Sequence, residues 1–302
     1  MTGALQRELQ SKGIPFRSDV SSASLCSFRI GGTAKLVIEP QCVHELIAAV
    51  GILEWARAPY AVVGRGSNVL FGDSLGDTVL LRTVLLDGIC RTEQGIRVMA
   101  GHSLPSLFRR TARMGFSDLL FACGIPGTLG AAVLGNAGAY GKSMGDLVKS
   151  VTALFPENGE IRTLFYDQLN YSYRNSTIKE KNVIVLEAEL RLSEAADPTW
   201  VVLRARELSR LRASSQPLEL PNAGSIFLRP SPELPIGKLL DEAGVKGLSC
   251  GGAAVSEKHA GFIVNQGDAT AADVKALIQR IQDITERRMG IRPQPEIRFI
   301  PS

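Results

Sequence analysis

Tyr60-Ala61-Val62-Val63-Gly64-Arg65-Gly66-Ser67-Asn68-Val69-Leu70 is the stretch on which the fold turns. Four strand-forming residues run into a loop with two glycines, and a second apolar run follows. Consecutive backbone N–H groups without bulky side chains let an anionic diphosphate lie against the main chain. A side chain at Gly66 is then expected to take the diphosphate's space. The same residues also suit a plain tight turn. They form neither a P-loop, which ends in Lys-Ser/Thr, nor a dinucleotide fingerprint, which needs a third glycine opening a helix where here a strand follows.

Working outward, residues 34–39 read as a strand, and Val43, Leu46, Ile47, Val50 and Leu53 recur at the spacing of one helical face. With residues 60–63 they make a βαβ unit, and residues 69–71 and 78–81 return to strand composition. From 88 to 192 the pattern becomes β-rich, with strands expected at 96–100, 150–155 and 183–190. One helix interrupts it, with Ser103 as its expected N-cap and Pro105 in its first turn. A linker helix is expected near 200–211. The last third carries a strand at 225–228, a short helix near 236–243, strands at 250–255 and 261–265, and a long helix. That helix is opened by Thr270 with Asp273 and closed by Gly290, and Val274, Leu277, Ile278, Ile281 and Ile284 fall on one face. The pattern suggests three parts: 1–82, 83–200 and 201–302.

Composition narrows the function classes. With 302 residues, 45% hydrophobic and 21% charged, the chain is long enough to bury a sizeable core and is not disordered, collagenous or coiled-coil. A net charge of +4 with scattered basic residues makes nucleic acid a poor partner. The five cysteines form no CxxC pair, which argues against zinc or a redox dithiol and for reduced thiols in the cytoplasm. No apolar run is long enough to span a bilayer, and no targeting segment is visible. Thirty glycines suggest backbone that must approach something closely.

The segments Gly124-Ile125-Pro126-Gly127-Thr128-Leu129-Gly130-Ala131-Ala132 and Gly135-Asn136-Ala137-Gly138-Ala139-Tyr140-Gly141 are almost all small, as the walls around a large flat ligand are, or as closely packed helices are. Arg174, Ser225 and Glu296 stand in distinctive settings, although each alone reads as an ordinary surface, turn or strand residue. No Gly-x-Ser-x-Gly elbow surrounds Ser225, so a hydrolase triad has no support. His259 lacks a second His or Cys at metal spacing and reads first as structural; His44 and His102 sit at helix starts.

In order along the chain, Ser27-Phe28-Arg29-Ile30-Gly31-Gly32, the loop Gly64 to Asn68, Gly124-Ile125-Pro126-Gly127-Thr128, Asn136 to Gly141, Tyr173-Arg174-Asn175-Ser176, Gly224-Ser225-Ile226-Phe227, Ser256 to Phe262 and Pro295-Glu296-Ile297-Arg298 resemble the UDP-N-acetylenolpyruvoylglucosamine reductases, the MurB family, in its shorter type II form. The resemblance covers nearly the whole chain. It implies an α+β architecture: a two-part FAD-binding fold of the vanillyl-alcohol-oxidase type with a smaller C-terminal α/β substrate domain. It implies non-covalent FAD, NADPH as hydride donor and UDP-N-acetylglucosamine enolpyruvate as substrate, and a monomer is expected.

Carried over residue by residue, the resemblance makes Arg174, Ser225 and Glu296 catalytic. It places Gly64, Arg65, Gly66, Ser67, Asn68, Gly127, Thr128, Gly130, Asn136, Ala137 and Gly138 at FAD, and Tyr173, Asn222, Arg229 and His259 at substrate, with no metal. Two departures stand out. Gly130-Ala131 replaces a Gly-Gly pair, adding a methyl near the flavin, and Phe227-Leu228-Arg229-Pro230 replaces Phe-Lys-Asn-Pro, which alters the expected UDP contacts. The competing readings are a flavin oxidase on the same fold, which often tethers its cofactor through His or Cys, and a degenerate nucleotide-binding module, which has no reason to keep all three catalytic residues.

Overall fold

The computed structural model describes residues 2–193 and 197–301, an α+β chain in two compact units. One comprises Met1–Ser18, Leu36–Arg65 and Val79–Arg210; the other comprises Asp19–Lys35, Gly66–Thr78 and Leu211–Ser302.

Two sheets lie mainly in the first unit. In the four-stranded one the order is Phe16–Ser21, Thr33–Ile38, Val79–Arg82, Tyr60–Val63. The helix Val43–Trp55 joins Thr33–Ile38 to Tyr60–Val63 and buries Leu46, Ala49, Val50 and Leu53. The expected βαβ unit is therefore present, but its two strands do not pair with each other. Val79–Arg82 lies between them and is parallel to both, with Leu80 opposite Val37 and Ala61. A helix over Thr2–Ser11, which the polar N-terminal sequence did not suggest, buries Leu5 and Leu9 in the same core.

The five-stranded sheet is antiparallel throughout, in the order Glu160–Phe165, Val148–Phe155, Ile184–Arg191, Gly95–Met99, Ile89–Thr92. Its three middle strands are those the sequence predicts, because alternating residues such as Ile96, Val98, Val151, Ala188 and Leu190 enter one core. The edge strands have no fully buried residues, with only Ile89 and Leu164 packed partly against the core, and form mainly by pairing. The helix Leu104–Arg113 packs on this sheet through Leu104, Leu107 and Phe108, with Pro105 in its first turn. Ser103 stands at the N-cap, but its side chain makes no capping bond, so proline and burial set the start of this helix.

In the second unit, the expected strand over 225–228 instead covers Asn222–Ser225 and pairs with Phe262–Asn265, then Ala253–Val255 and Ser249–Cys250. The expected single strand over 250–255 is broken because Gly251, at φ +51°, turns the chain. Arg298–Ile300 pairs in parallel with Val69–Phe71. The long helix Ala271–Met289 opens as predicted. Thr270 Oγ1 accepts from Asp273 N at 3.1 Å, and Thr270 N donates to Asp273 Oδ2 at 2.9 Å. Asp73 adds a second cap, accepting from Ala271 N and Ala272 N. Val274, Leu277, Ile278 and Ile281 are buried, each worth about 1.5–3 kcal/mol.

Candidate active site

Strand Tyr60–Val63 delivers Gly64 against Thr128. A Cβ on Gly64 would lie 2.6 Å from Thr128 Oγ1, so only glycine lets the two loops meet. Gly130 is similarly pressed on Ala100, where a Cβ would come within 2.8 Å of the alanine methyl. Ala131, the departure from Gly-Gly, is exposed. Among the described residues, the backbone N–H groups of Arg65, Gly66 and Asn68 have no protein partner. The buried His102 donates or accepts at Nδ1 with Asp87, and its Nε2 has no partner. Within the first unit, the Arg65 N–H, the small walls at Gly64 and Gly130 and the orphaned buried His102 Nε2 are features that fit a dinucleotide cofactor such as FAD.

Gly66 is required for a different reason from the one expected. It sits at φ +64°, and a Cβ would strike Leu25 O at 2.4 Å and Cys26 Cα at 2.7 Å rather than the diphosphate's space. The sequence shows that a glycine is needed here but not which neighbour needs it. Ser27 N donates to Gly66 O, closing the same contact.

Arg174 lies at φ +55°, a left-handed conformation that costs a non-glycine residue of order 1–2 kcal/mol. Its guanidinium donates to Gly138 O at 3.2 Å and Asn136 O at 3.5 Å, and it stands over the exposed Tyr173 ring. Asn136, itself at φ +44° and 6% exposed, donates from Nδ2 to Ser172 O at 2.7 Å and accepts from Gly145 N at 2.9 Å. Its amide thus braces the Arg174 turn against the small-residue segment. That role had no sequence signal beyond an Asn between glycines.

In the second unit, Ser225 follows a register irregularity between Asn222 and Ser225, where Gly224 takes φ +79°. Such a bulge re-aims the side chain after it. Asn222 makes the bulge: its Oδ1 accepts from Gly224 N at 2.9 Å, and its Nδ2 donates to Pro217 O and Leu220 O. The Asn-Ala-Gly sequence could have signalled that turn. Ser225 Oγ donates to Phe227 O at 3.2 Å. Ile226 O accepts from Glu296 N at 2.7 Å, and Leu228 N donates to Gln294 O. The structure thus brings Ser225 and Glu296, distant in sequence, onto adjacent backbone segments. Glu296 O also accepts from Asn68 Nδ2 at 3.3 Å, so the end of the glycine loop reaches the same segment. Arg229 is exposed and His259 half-buried.

No cluster of three metal-ligating side chains occurs among the described residues, nor is any helix long and apolar enough to cross a membrane. All five cysteines are free thiols, and burial pushes the Cys26 thiol up from its ordinary pKa.

Residues 34–164 match the family described as FAD binding domain, and residues 216–300 match UDP-N-acetylenolpyruvoylglucosamine reductase, C-terminal domain. A protein of Carboxydothermus hydrogenoformans named UDP-N-acetylenolpyruvoylglucosamine reductase is 37% identical over 98% of both chains. The chain belongs to the UDP-N-acetylenolpyruvoylglucosamine reductase family. A family member of Gloeobacter violaceus is 38% identical over 93% of this chain and 95% of its own. The crystal structure of the Thermus caldophilus reductase superposes with a TM-score of 0.79 at 30% identity, over 95% of this chain and 99% of that one. Physcomitrella patens BBE-like 1, at 17% identity, shares the fold alone, with a TM-score of 0.50 over 63% of this chain and 44% of its own. The α+β FAD-binding fold with a C-terminal family domain is the one the sequence predicts.

Proposed function

We propose that the protein reduces UDP-N-acetylglucosamine enolpyruvate to UDP-N-acetylmuramate with FAD as cofactor and NADPH as donor. The observation that carries this reading is the Glu296 N to Ile226 O bond, which joins the backbone of the acid to that of the residue after the serine. FAD, when bound, supplies the hydride chemistry between NADPH and the enolpyruvyl ether. Reduction at the methylene carbon drives charge onto the substrate carboxylate. Arg174 offers that charge a permanent cation, and Glu296 in its protonated form donates it a hydrogen bond. Ser225 protonates the neighbouring carbon, which a weak acid can do because that carbon is strongly basic. The Gly64 to Asn68 loop, Gly127, Thr128, Gly130, Asn136, Ala137 and Gly138 would hold FAD through backbone and small side chains. Tyr173 and Arg229, both exposed, would meet the substrate, while Asn222 and His259 shape the serine segment.

The division into 1–82 and 83–200 for FAD and 201–302 for substrate belongs to this proposal. A cytoplasmic monomer belongs to the same proposal. Anaerobic spectroscopy tests the reading: a yellow protein should bleach with NADPH and recover its colour with the enolpyruvyl substrate. A protein unable to take up FAD would refute it.

A further inference from the structure

His259 heads a hydrogen-bond chain that reaches both candidate catalytic residues of its unit. Its Nδ1 accepts from Gly261 N at 3.1 Å. Gly261 O accepts from Ile226 N at 2.8 Å, and Ile226 O accepts from Glu296 N at 2.7 Å. Ser225 is the residue before Ile226, so the imidazole anchors the ladder that holds serine and glutamate together.

The ring has little freedom. It stands edge-on to Phe262 with centroids 4.9 Å apart. A Cβ on Gly237 would lie 2.7 Å from its Cε1, so the helix Ile236–Glu242 presses on it. A Cβ on Gly261 would lie 3.0 Å from the same Cε1 and 3.3 Å from Ser225 Oγ, so ring and hydroxyl flank one gap left by the missing methyl.

We propose that His259 is a positioning residue for Ser225 and Glu296: as a neutral imidazole it pins the Gly261 turn, and a proton on Nδ1 releases that turn and disarms the substrate half-reaction. The assignment rests on the reductase reading above. An Nδ1 that accepts a backbone N–H carries no proton, which places the neutral ring's hydrogen on Nε2. Burial favours this form by holding the His259 pKa below the ordinary histidine value. The charged groups that face the ring act in opposite senses: Lys246 lowers its pKa, and Asp241, paired with Lys246 at 2.9 Å, raises it. Of the other charges nearby, Lys238 pairs with Glu242, Glu257 is turned to Gly247 and Lys258 to Glu219. The ring is neutral above its lowered pKa, and the acceptor is lost as pH falls through that value.

The test uses the FAD-loaded enzyme and follows both half-reactions by anaerobic stopped flow across the acid range, in wild type, His259→Leu and His259→Asn. His259→Leu fills the space without an acceptor and should slow reoxidation by the enolpyruvyl substrate about tenfold to a hundredfold, the scale of a small misplacement of reacting groups, while NADPH reduction stays near wild type. His259→Asn restores an acceptor to Gly261 N, so it should recover most of that loss and abolish the acid limb of the wild-type profile. Unchanged reoxidation in His259→Leu, equal slowing of both half-reactions, or an acid limb that persists in His259→Asn would overturn the assignment. A wild-type flavin that NADPH bleaches but the substrate leaves bleached at every pH would overturn the reductase reading together with it.

Discussion

The Asn136 amide donates to the Ser172 carbonyl across 2.7 Å, so the turn that presents Arg174 hangs on a residue of the small-residue segment. Asn136→Ala leaves Ser172 O and Gly145 N without this partner and puts alanine at φ +44°. Ser172 O keeps Asn175 N as a donor, so the expected cost is about 1–3 kcal/mol, from the buried Gly145 N–H left unsatisfied. Arg174 should also lose definition. Urea unfolding and the rate of flavin reoxidation by substrate should therefore fall together; a variant as stable and as active as wild type would show that the brace is dispensable.

Gly66→Val should damage the fold and FAD binding alike. The β-carbon meets Leu25 O and Cys26 in a left-handed backbone, so overpacking and conformational strain add to about 3 kcal/mol. Thermal melts of the apoprotein and FAD titration check this. An unchanged melting temperature with FAD binding lost would mean that the residue faces the cofactor.

Gly224→Ala should behave differently, because its β-carbon would meet nothing within 4 Å and only the φ of +79° opposes it. A stability loss of about 1 kcal/mol is expected. The bulge that aims Ser225 should relax, and substrate-driven reoxidation should slow more than stability falls. Reoxidation at the wild-type rate would show that the serine does not depend on the bulge.

The Thr270 N–H and hydroxyl hold the Asp273 carboxyl below its ordinary pKa. A depressed carboxylate stabilises the fold above its unfolded value, and that contribution is lost as pH falls through the folded value. Asp273→Asn should therefore melt below wild type at neutral pH, and the gap should narrow as pH falls below the ordinary carboxylate range. A gap that stays constant with pH would place the stabilisation elsewhere.

What the sequence reveals and what it hides divides along physical lines. The helix Ala271–Met289 is legible because Thr270, Asp273, Gly290 and the apolar face are all local. The strands Gly95–Met99, Val148–Phe155 and Ile184–Arg191 are legible because their alternation records the core they enter. Glu160–Phe165 carries no such record, since pairing with Val148–Phe155 makes it a strand. The parallel pair Val69–Phe71 and Arg298–Ile300 joins opposite parts of the chain, and nothing local announces it. At the site, residue identities came from the ordered motifs. Their supports, namely the left-handed Arg174, the Asn136 amide and the turn of Leu25 and Cys26 against Gly66, are tertiary and were missed.

Ser225→Ala tests the division of labour at this site most directly, because proton delivery belongs only to the substrate half-reaction. In anaerobic stopped flow, NADPH should reduce the flavin of the variant at a near-normal rate. Reoxidation by the enolpyruvyl substrate should slow by about 10² or more, the range for a lost general acid, with partial recovery in Ser225→Cys. Equal slowing of the two steps would contradict the account, since the serine would then position the flavin or hold the fold instead of delivering the proton.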